Sequence, residues 1–222
     1  MEIKLVIFDC DGVLVDSELI SSRVMSEIFG EIGLEMSAHE VFETLRGGSM
    51  AETIAFVESR LGASFNYDLE KEYRKRSFEA YKNEMKPIEG IEQILQTLNI
   101  PCCVGSNGPQ HKIKLNLDIT DLRQYFTDDH IFSSYDIQVW KPKPDLYLYA
   151  AARFNLDPKE CIVIEDSVSG ATAAQKAGIK CYGFARDTHA QEFLAIDAIP
   201  IMRMEELLIL ESQIFKKRPE LT

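Results

Sequence analysis

A pair of acidic residues stands at the end of an apolar run near the N-terminus. Asp9 and Asp11 follow Ile3–Phe8, a continuous run rich in β-branched residues that is typical of a buried strand. Two buried carboxylates this close repel each other and lose hydration energy unless a cation lies between them. Oxygen ligands of this kind suit Mg²⁺, which binds one or two carboxylates together with a substrate phosphate. The alternative stays open that Asp11 and Gly12 form a hairpin turn.

Three later segments carry polar groups of the kind that bind and neutralise a phosphoryl group. Ser106 and Asn107 end an apolar run, where hydroxyl, amide and backbone N–H groups can bind phosphoryl oxygens, unless they form an ordinary turn. Lys141 precedes a proline-stiffened loop and can neutralise transferring charge, unless this is a solvated proline-rich linker. Glu165 and Asp166 end another apolar run just before a helix, where the alternative is helix capping, with Asp166 or Ser167 as the N-cap.

Short apolar runs alternate with helical patterns over most of the chain, which predicts a Rossmann-like α/β fold with a parallel sheet and helices on both faces. The predicted strands are Ile3–Phe8, Cys102–Val104, Ile131–Phe132, Cys161–Ile164, Cys181–Phe184 and Ile199–Met202. The predicted helices include Ile91–Leu98, Pro144–Phe154 and Gly170–Ala177, the last ended by Gly178. Ligands of such sheets bind beyond the carboxyl ends of the strands, so the four polar segments are expected to converge there.

One segment interrupts the alternation. Residues 18–85 show helical periodicity and no convincing strand, and Pro87 and Gly90 punctuate the chain where the strand–helix pattern resumes. We therefore expect a small all-helical domain at 18–85, inserted after the first strand. Residues 1–17 and 86–222 then form the main domain.

Composition narrows the class of protein. The 222 residues include 24 Lys and Arg against 36 Asp and Glu, a formal charge of −12, which argues against nucleic acid or an anionic membrane as a partner. No apolar run reaches the length of a membrane-spanning helix, and the N-terminus lacks a signal-peptide pattern. Five cysteines without a C-x-x-C pair favour reduced thiols in a cytoplasmic protein, and the four histidines lack metal-ligand spacing, which argues against zinc. We expect a monomer or weak dimer.

The order acid pair, Ser-Asn, Lys-Pro and acid pair resembles the haloacid dehalogenase superfamily. The resemblance covers residues 1 to about 185 and includes all four sequence motifs of that family. It implies that Asp9 is the nucleophile that forms an aspartyl-phosphate, while Asp11 protonates the leaving oxygen and later activates water. It also implies that Ser106 and Lys141 hold and neutralise the phosphoryl group, with Asn107 as an additional substrate contact.

The same resemblance implies a metal site and a cap domain. Mg²⁺ would be bound by the Asp9 carboxylate, the Asp11 backbone carbonyl and Asp166, with Glu165 as a helper. The helical insertion 18–85 corresponds to the family's cap domain. Because a carboxylate nucleophile, a metal and a lysine together suit phosphoryl transfer, the partner is expected to be a small phosphorylated metabolite.

Three branches of the superfamily can be compared. Dehalogenases need neither the metal nor an acid at Asp11. β-Phosphoglucomutase has a cap histidine and a basic pair around a Gly-x-Ser loop, where this chain has Ser21, Arg46 and Met50, so a phosphatase is favoured over a mutase. Arg46 is the one cap candidate for binding a substrate carboxylate or distal phosphate, unless it only complements a helix C-terminus.

Within the phosphatases, the chain looks most like bacterial members acting on 6-phosphogluconate and related sugar phosphates. The segments that carry this likeness are residues 106–112 and 135–142. A non-catalytic phosphate-binding or regulatory protein on the same fold remains the alternative of another class.

Overall fold

The computed structural model describes residues 2–45, 50–62, 68–185 and 190–216. The chain divides into two compact units. One comprises Met1–Val15 with Pro87–Thr222, and the other comprises Asp16–Lys86. Within the described ranges, none of the helices is both long enough and apolar enough to cross a membrane.

The larger unit contains a parallel β-sheet. In the described part of this unit the sheet has six strands in the order β3-β2-β1-β4-β5-β6, and each neighbouring pair is parallel. The strands are β1 Leu5–Phe8, β2 Cys102–Ser106, β3 Ile131–Ser133, β4 Cys161–Glu165, β5 Lys180–Phe184 and β6 Ile199–Ile201. The Rossmann-like α/β fold expected from the strand–helix alternation is confirmed. Both β2 and β4 extend far enough to include the first polar residue of their motif.

Helices connect the strands of this unit. They are α5 Ile91–Thr97, α6 Gln110–Ile119, α7 Ser134–Ile137, α8 Asp145–Arg153, α9 Val168–Ala177, α10 Ala190–Leu194 and α11 Leu207–Leu210. Short 3₁₀ turns occupy Leu122–Tyr125, Asp128–His130, Pro158–Glu160, Met204–Glu206 and Ser212–Ile214. Leu5, Ile7 and Val163 of the sheet pack with Leu146 of α8 and Ala174 of α9 in one buried cluster. Small residues dominate the buried face of α9, which lets this helix approach the sheet closely.

Within its described residues, the smaller unit consists of helices joined by short loops. Its helices are α1 Glu18–Glu31, α2 Ala38–Leu45, α3 Met50–Leu61 and α4 Leu69–Glu84. Val24, Ile28 and Phe29 recur at helical spacing on α1 and pack with Val57 of α3 and Leu69 of α4. This cluster gives the unit its own hydrophobic core.

A buried glutamate marks the edge of the sheet at which β5 begins. Glu211 is 3% exposed and accepts hydrogen bonds from Lys180 Nζ at 2.5 Å and Tyr182 Oη at 2.7 Å. Burial raises the pKa of Glu211, but these bonds and one from Gln213 outweigh it and hold the pKa below its usual value. Because Lys180 is the first residue of β5, this cluster lies at the amino edge of the sheet, away from the carboxyl ends of the strands.

Candidate active site

Three neighbouring strands end in the polar residues singled out from the sequence. Asp9 follows β1 and continues its pairing by donating its backbone N–H to the Ile164 carbonyl at 3.0 Å. Ser106 is the last residue of β2, and Glu165 is the last residue of β4. Since β1 lies between β2 and β4, the parallel order brings these residues to one edge of the sheet.

Lys141 is buried at the same edge and links two of the strand ends. Its side chain is 3% exposed, and its Nζ donates to Asp9 Oδ1 at 2.5 Å and to Glu165 Oε1 at 2.6 Å. Burial lowers the pKa of Lys141, but the two carboxylates outweigh it and raise the pKa above its usual value. Lys143 of the proline-rich segment is exposed, but Lys141 is not solvated and places a buried ammonium group against two acids.

The carboxylate of Glu165 is held from both sides. In addition to Lys141, Oε1 accepts a bond from the Tyr147 hydroxyl at 2.8 Å, and Oε2 accepts bonds from the Ser167 amide at 3.0 Å and hydroxyl at 2.9 Å. Burial raises the pKa of Glu165, but Lys141 and these donors together lower it below its usual value. Ser167 also caps α9 by accepting the Gly170 N–H at 3.0 Å, so the capping alternative holds for Ser167, while Glu165 serves as the ionised partner of Lys141.

Tyr147 was not identified from the sequence. It lies on α8, inside the helix predicted at Pro144–Phe154, where an aromatic residue on the buried face is expected to pack in the core. It does so, with no exposed surface, but its hydroxyl reaches Glu165. The need of a buried hydroxyl for a hydrogen-bond partner was the one available signal, and it does not specify which partner.

Among the residues that the structure describes, three buried acids and one buried lysine meet at this edge. Asp9, Glu165 and Asp166 are each less than a tenth exposed, and Lys141 is the buried cation bonded to two of them. Burial raises the pKa of Asp9 well above its usual value, Lys141 opposes this, and the charges of Glu165 and Asp166 add to the rise. A cation bound beside Asp9 and Asp166 would relieve this excess of negative charge.

The donor set fits a hard divalent ion that takes several oxygens from backbone and water. Among the described residues, no group of three or more His, Cys, Asp or Glu side chains could hold a metal on its own. Mg²⁺ keeps several waters and often takes only one or two carboxylates, so the pair Asp9 and Asp166 with a backbone carbonyl suits it. The residues present therefore fit the ion that the family resemblance implies.

Gly12 shapes the loop that follows Asp9. Its φ is 79°, and a Cβ at this position would lie 2.1 Å from Asp166 Oδ2, so a side chain fits neither the backbone conformation nor the space. The loop is a tight turn, in which Gly12 donates its N–H to the Val15 carbonyl at 2.9 Å. The hairpin alternative is wrong, because the two neighbours of β1 in the sheet are both parallel strands.

Asp11 presents its carboxylate to α6. Its Oδ2 is 2.8 Å from Lys112 Nζ, and its Oδ1 accepts a bond from Asn116 Nδ2 at 3.1 Å. The side chain is partly exposed, with about a quarter of its surface open to solvent (26%). The two acids therefore have different surroundings, since Asp9 bonds to the buried Lys141 and Asp11 bonds to Lys112 and Asn116 on α6.

Ser106 and Asn107 lie together at the end of β2. Ser106 is 2% exposed, and its Oγ accepts the Gly108 N–H at 3.0 Å. Asn107 Oδ1 accepts bonds from the Ser134 hydroxyl at 2.8 Å and the Lys141 backbone N–H at 3.1 Å. The structure thus places Asn107 as a tether for the segment that carries Lys141.

Arg46, the candidate for binding a second anionic group, lies outside the described residues. The structure brings together Asp9, Lys141, Glu165 and Asp166, and places Ser106 and Asn107 at the adjacent strand end.

Comparison with known proteins decides the family. Residues 6–184 match the haloacid dehalogenase-like hydrolases, and this range includes every motif described above. The chain belongs to this family. A 6-phosphogluconate phosphatase of Escherichia coli is 38% identical over 188 residues, which cover 84% of this chain and 85% of that protein.

Solved structures of the family agree in fold. A conserved haloacid dehalogenase-like protein of unknown function from Agrobacterium tumefaciens superposes with a TM-score of 0.86 at 34% identity, covering 95% of this chain and 98% of that one. A protein described as a putative β-phosphoglucomutase from Thermotoga maritima superposes with a TM-score of 0.78 at 25% identity, covering 96% of this chain and 100% of that one. The family and the phosphatase names of several relatives confirm the prediction of an enzyme of the phosphatase class.

Proposed function

We propose that this chain is a Mg²⁺-dependent phosphatase that hydrolyses a small sugar phosphate or a phosphorylated sugar acid such as 6-phosphogluconate. The observation that carries the proposal is the buried cluster of Asp9, Lys141 and Glu165, with Asp166 beside it. A carboxylate held next to a buried ammonium group, with further negative charge to attract a metal, is suited to phosphoryl transfer. The name of the 38% identical relative supports the substrate class.

The proposed reaction has two steps. Asp9 attacks the phosphorus atom through a carboxylate oxygen, the bond from phosphorus to the leaving oxygen breaks, and Asp11 gives that oxygen its proton. Asp11 then takes a proton from a water molecule, whose oxygen attacks the phosphorus of the aspartyl-phosphate and releases Asp9 and inorganic phosphate. Lys141 and Ser106 hold the phosphoryl oxygens, and Glu165 keeps Lys141 charged and in place.

Mg²⁺ would be held by the Asp9 carboxylate, the Asp11 backbone carbonyl and Asp166. Bound there, it would offset charge on the phosphoryl oxygens and lower the repulsion between Asp9 and the incoming phosphate. Glu165 is a helper through Lys141 in this proposal, because its two oxygens already accept bonds from Lys141, Tyr147 and Ser167.

We assign the helical unit as the family's cap domain, which selects the substrate. A mutase is disfavoured by the residues at its diagnostic positions in this unit. Ser21 donates to the Ser17 carbonyl at 2.8 Å and pairs with the Tyr81 hydroxyl at 2.6 Å, and Met50 packs against the core of the unit. Neither position offers the histidine or basic group that a mutase of this family uses. A cytoplasmic location and a monomer or weak dimer stay predictions from the sequence.

The test is phosphate release from a panel of phosphorylated metabolites with Mg²⁺ and with a chelator. The panel contains 6-phosphogluconate and both hexose 1-phosphates. A coupled assay detects any glucose 6-phosphate formed from β-glucose 1-phosphate. We expect Mg²⁺-dependent release from a sugar acid or sugar phosphate, and its loss in Asp9→Asn. Asp129→Asn, at an exposed position, serves as the matched control and keeps full activity.

Two results would contradict the proposal. Glucose 6-phosphate formed from β-glucose 1-phosphate without net phosphate release would indicate a mutase. A phosphate-dependent rise in melting temperature without any product would indicate a binding protein.

A further inference from the structure

A fully buried amide interrupts the apolar face of α6. Asn116 has no exposed surface, and it lies on this face between Ile113 and Leu117, which are buried as well. Its Nδ2 donates to Asp11 Oδ1 at 3.1 Å, while its Oδ1 is buried without a hydrogen-bond partner. Burying an unsatisfied polar atom carries a cost in stability that a leucine at this position would avoid. Such a departure from the locally favoured residue is typical of a functional site.

Asn116 and Lys112 together hold both oxygens of one carboxylate. They are four residues apart on α6 and therefore share a face of the helix. Lys112 Nζ lies 2.8 Å from Asp11 Oδ2, and Asn116 Nδ2 lies 3.1 Å from Asp11 Oδ1. Two contacts on different oxygens fix the rotation of the carboxyl group, which a single contact would leave free.

The two contacts differ in how firmly they are held. Lys112 is partly exposed and has a long flexible side chain, with 31% of its surface open. Asn116 is short, buried and on a helix, so its amide is fixed by the packing around it. A short buried side chain of this kind is the better device for holding a group within a few tenths of an ångström.

We propose that Asn116 is a positioning residue that orients the Asp11 carboxyl toward the leaving oxygen, with Lys112 as its partner. The inference rests on the proposed function, in which Asp11 protonates that oxygen. The need for this proton depends on the substrate. A sugar alkoxide is a strong base and leaves only with a proton, whereas the anion of a nitrophenol is a weak base and leaves without one. Asn116 therefore determines how well the enzyme cleaves alkyl phosphates relative to activated aryl phosphates.

The test compares kcat/KM for the best sugar phosphate of the panel and for 4-nitrophenyl phosphate. This parameter covers the steps up to transfer of the phosphoryl group to Asp9 and excludes the later attack of water. General acid catalysis contributes roughly a hundredfold or more, and removal of the Asn116 contact is expected to forfeit about tenfold of it. In Asn116→Leu, kcat/KM should fall about tenfold for the sugar phosphate and stay within about twofold of the wild-type value for 4-nitrophenyl phosphate.

Thr120→Val provides the matched control. Thr120 is buried one turn after Asn116, directly after the end of α6, and its hydroxyl donates to the Asn116 backbone carbonyl at 2.8 Å. We expect this variant to keep the wild-type ratio of the two substrates. The melting temperature of Asn116→Leu should be equal to or above that of the wild type, because an unsatisfied buried atom has been removed.

Three outcomes have distinct meanings. An equal loss on both substrates, or no loss on either, overturns the positioning role of Asn116 while leaving the phosphatase intact. Should Asn116→Leu fail to fold, the ratio of kcat/KM for the two substrates is measured in Lys112→Met, a variant at a partly exposed position. A ratio within twofold of wild type then overturns the proposal. A wild-type enzyme inactive on both substrates with Mg²⁺ refutes the proposed function itself.

Discussion

Replacement of Lys141 by methionine is expected to destabilise the sheet-containing unit and to make its stability fall as the pH rises. The ammonium group bonds to Asp9 and Glu165 in the interior, and Asp166 is buried beside them. Methionine fills a similar volume but leaves these carboxylates without their cation. The variant therefore tests the charge of Lys141 rather than its size.

The expected magnitude follows from the burial of the partners. Removal of one member of a buried ion pair costs about 3 to 5 kcal/mol. The Glu165 side chain is 1% exposed, but the Asp9 side chain retains 10% exposure and so part of its hydration. We therefore take the lower end of this range, a loss of about 3 kcal/mol in unfolding free energy at pH 8. Without Lys141 the folded-state pKa of Asp9, which burial already raises, rises further, and the pKa of Glu165 rises because the charge that lowers it most is lost.

The sign of the pH dependence follows from that rise. A carboxyl with a raised folded-state pKa binds more protons in the folded than in the unfolded protein, so stability declines as the pH rises. Each unit of pKa displacement corresponds to about 1.4 kcal/mol. The deficit of Lys141→Met relative to wild type should therefore shrink as the pH falls, because protonation neutralises the unpaired acids.

Urea unfolding monitored by tryptophan fluorescence measures the loss of unfolding free energy in the sheet-containing unit of the chain. Trp140 is the single tryptophan of the chain and precedes Lys141, so its signal reports unfolding of the sheet-containing unit. The measurement is made from pH 5 to pH 8, with circular dichroism as a second probe. Asp9→Asn added to Lys141→Met removes one buried charge and should restore about 1 to 2 kcal/mol at pH 8.

A deficit below about 1 kcal/mol at pH 8, or one independent of pH, would refute the reasoning. It would mean that the carboxylates find water or other partners, and that the charge of Lys141 does not hold the cluster together.

Three further predictions concern shape, helix propensity and a second buried acid. Gly170→Ala should lose at least tenfold in phosphatase activity, because the new Cβ would lie 1.7 Å from Glu165 Oε1 and displace that carboxylate. Gly30→Ala, in a helix with nothing within 4 Å of the new Cβ, should instead raise stability by about 0.5 to 1 kcal/mol in urea unfolding; a loss would show a hidden clash. Glu211→Gln should lower stability at pH 7, and this deficit should shrink as the pH falls below the unfolded pKa of about 4.3 and through the lowered folded-state pKa, because the contribution of the carboxylate is lost there. A deficit that persists in acid would exclude the ion pair with Lys180 as its cause.

The framework of the site could be predicted because it depends on local patterns. Continuous apolar runs indicate buried parallel strands, and polar residues at their ends must meet where the strands meet. That rule was sufficient to place Asp9, Ser106, Glu165 and Asp166 at one edge of the sheet. The predicted end of the helix at Gly178 is also observed, with a φ of 71° in the left-handed region.

The contacts that organise the site could not be predicted in this way. Tyr147 and Asn116 lie on helix faces that read as apolar, and their contacts with Glu165 and Asp11 depend on the depth and rotation of α8 and α6. The role of Asn107 as a substrate contact stays a prediction, but the bond from its Oδ1 to the backbone N–H of Lys141, 34 residues away in sequence, could not be foreseen. Interactions of this range are set by tertiary packing, to which residue type and spacing give no access.

The contacts of Lys141 constrain how the sequence of such an enzyme can change in evolution. Its backbone N–H is bound by Asn107 after β2, and its Nζ is bound by Asp9 after β1 and Glu165 at the end of β4. A single substitution at any of these four positions leaves a charge or a donor without its partner, so the positions are epistatic. A lineage that acquires a new reaction on this scaffold would change these residues in compensating pairs. Changes of substrate, by contrast, can accumulate one residue at a time in the segments that do not share this network.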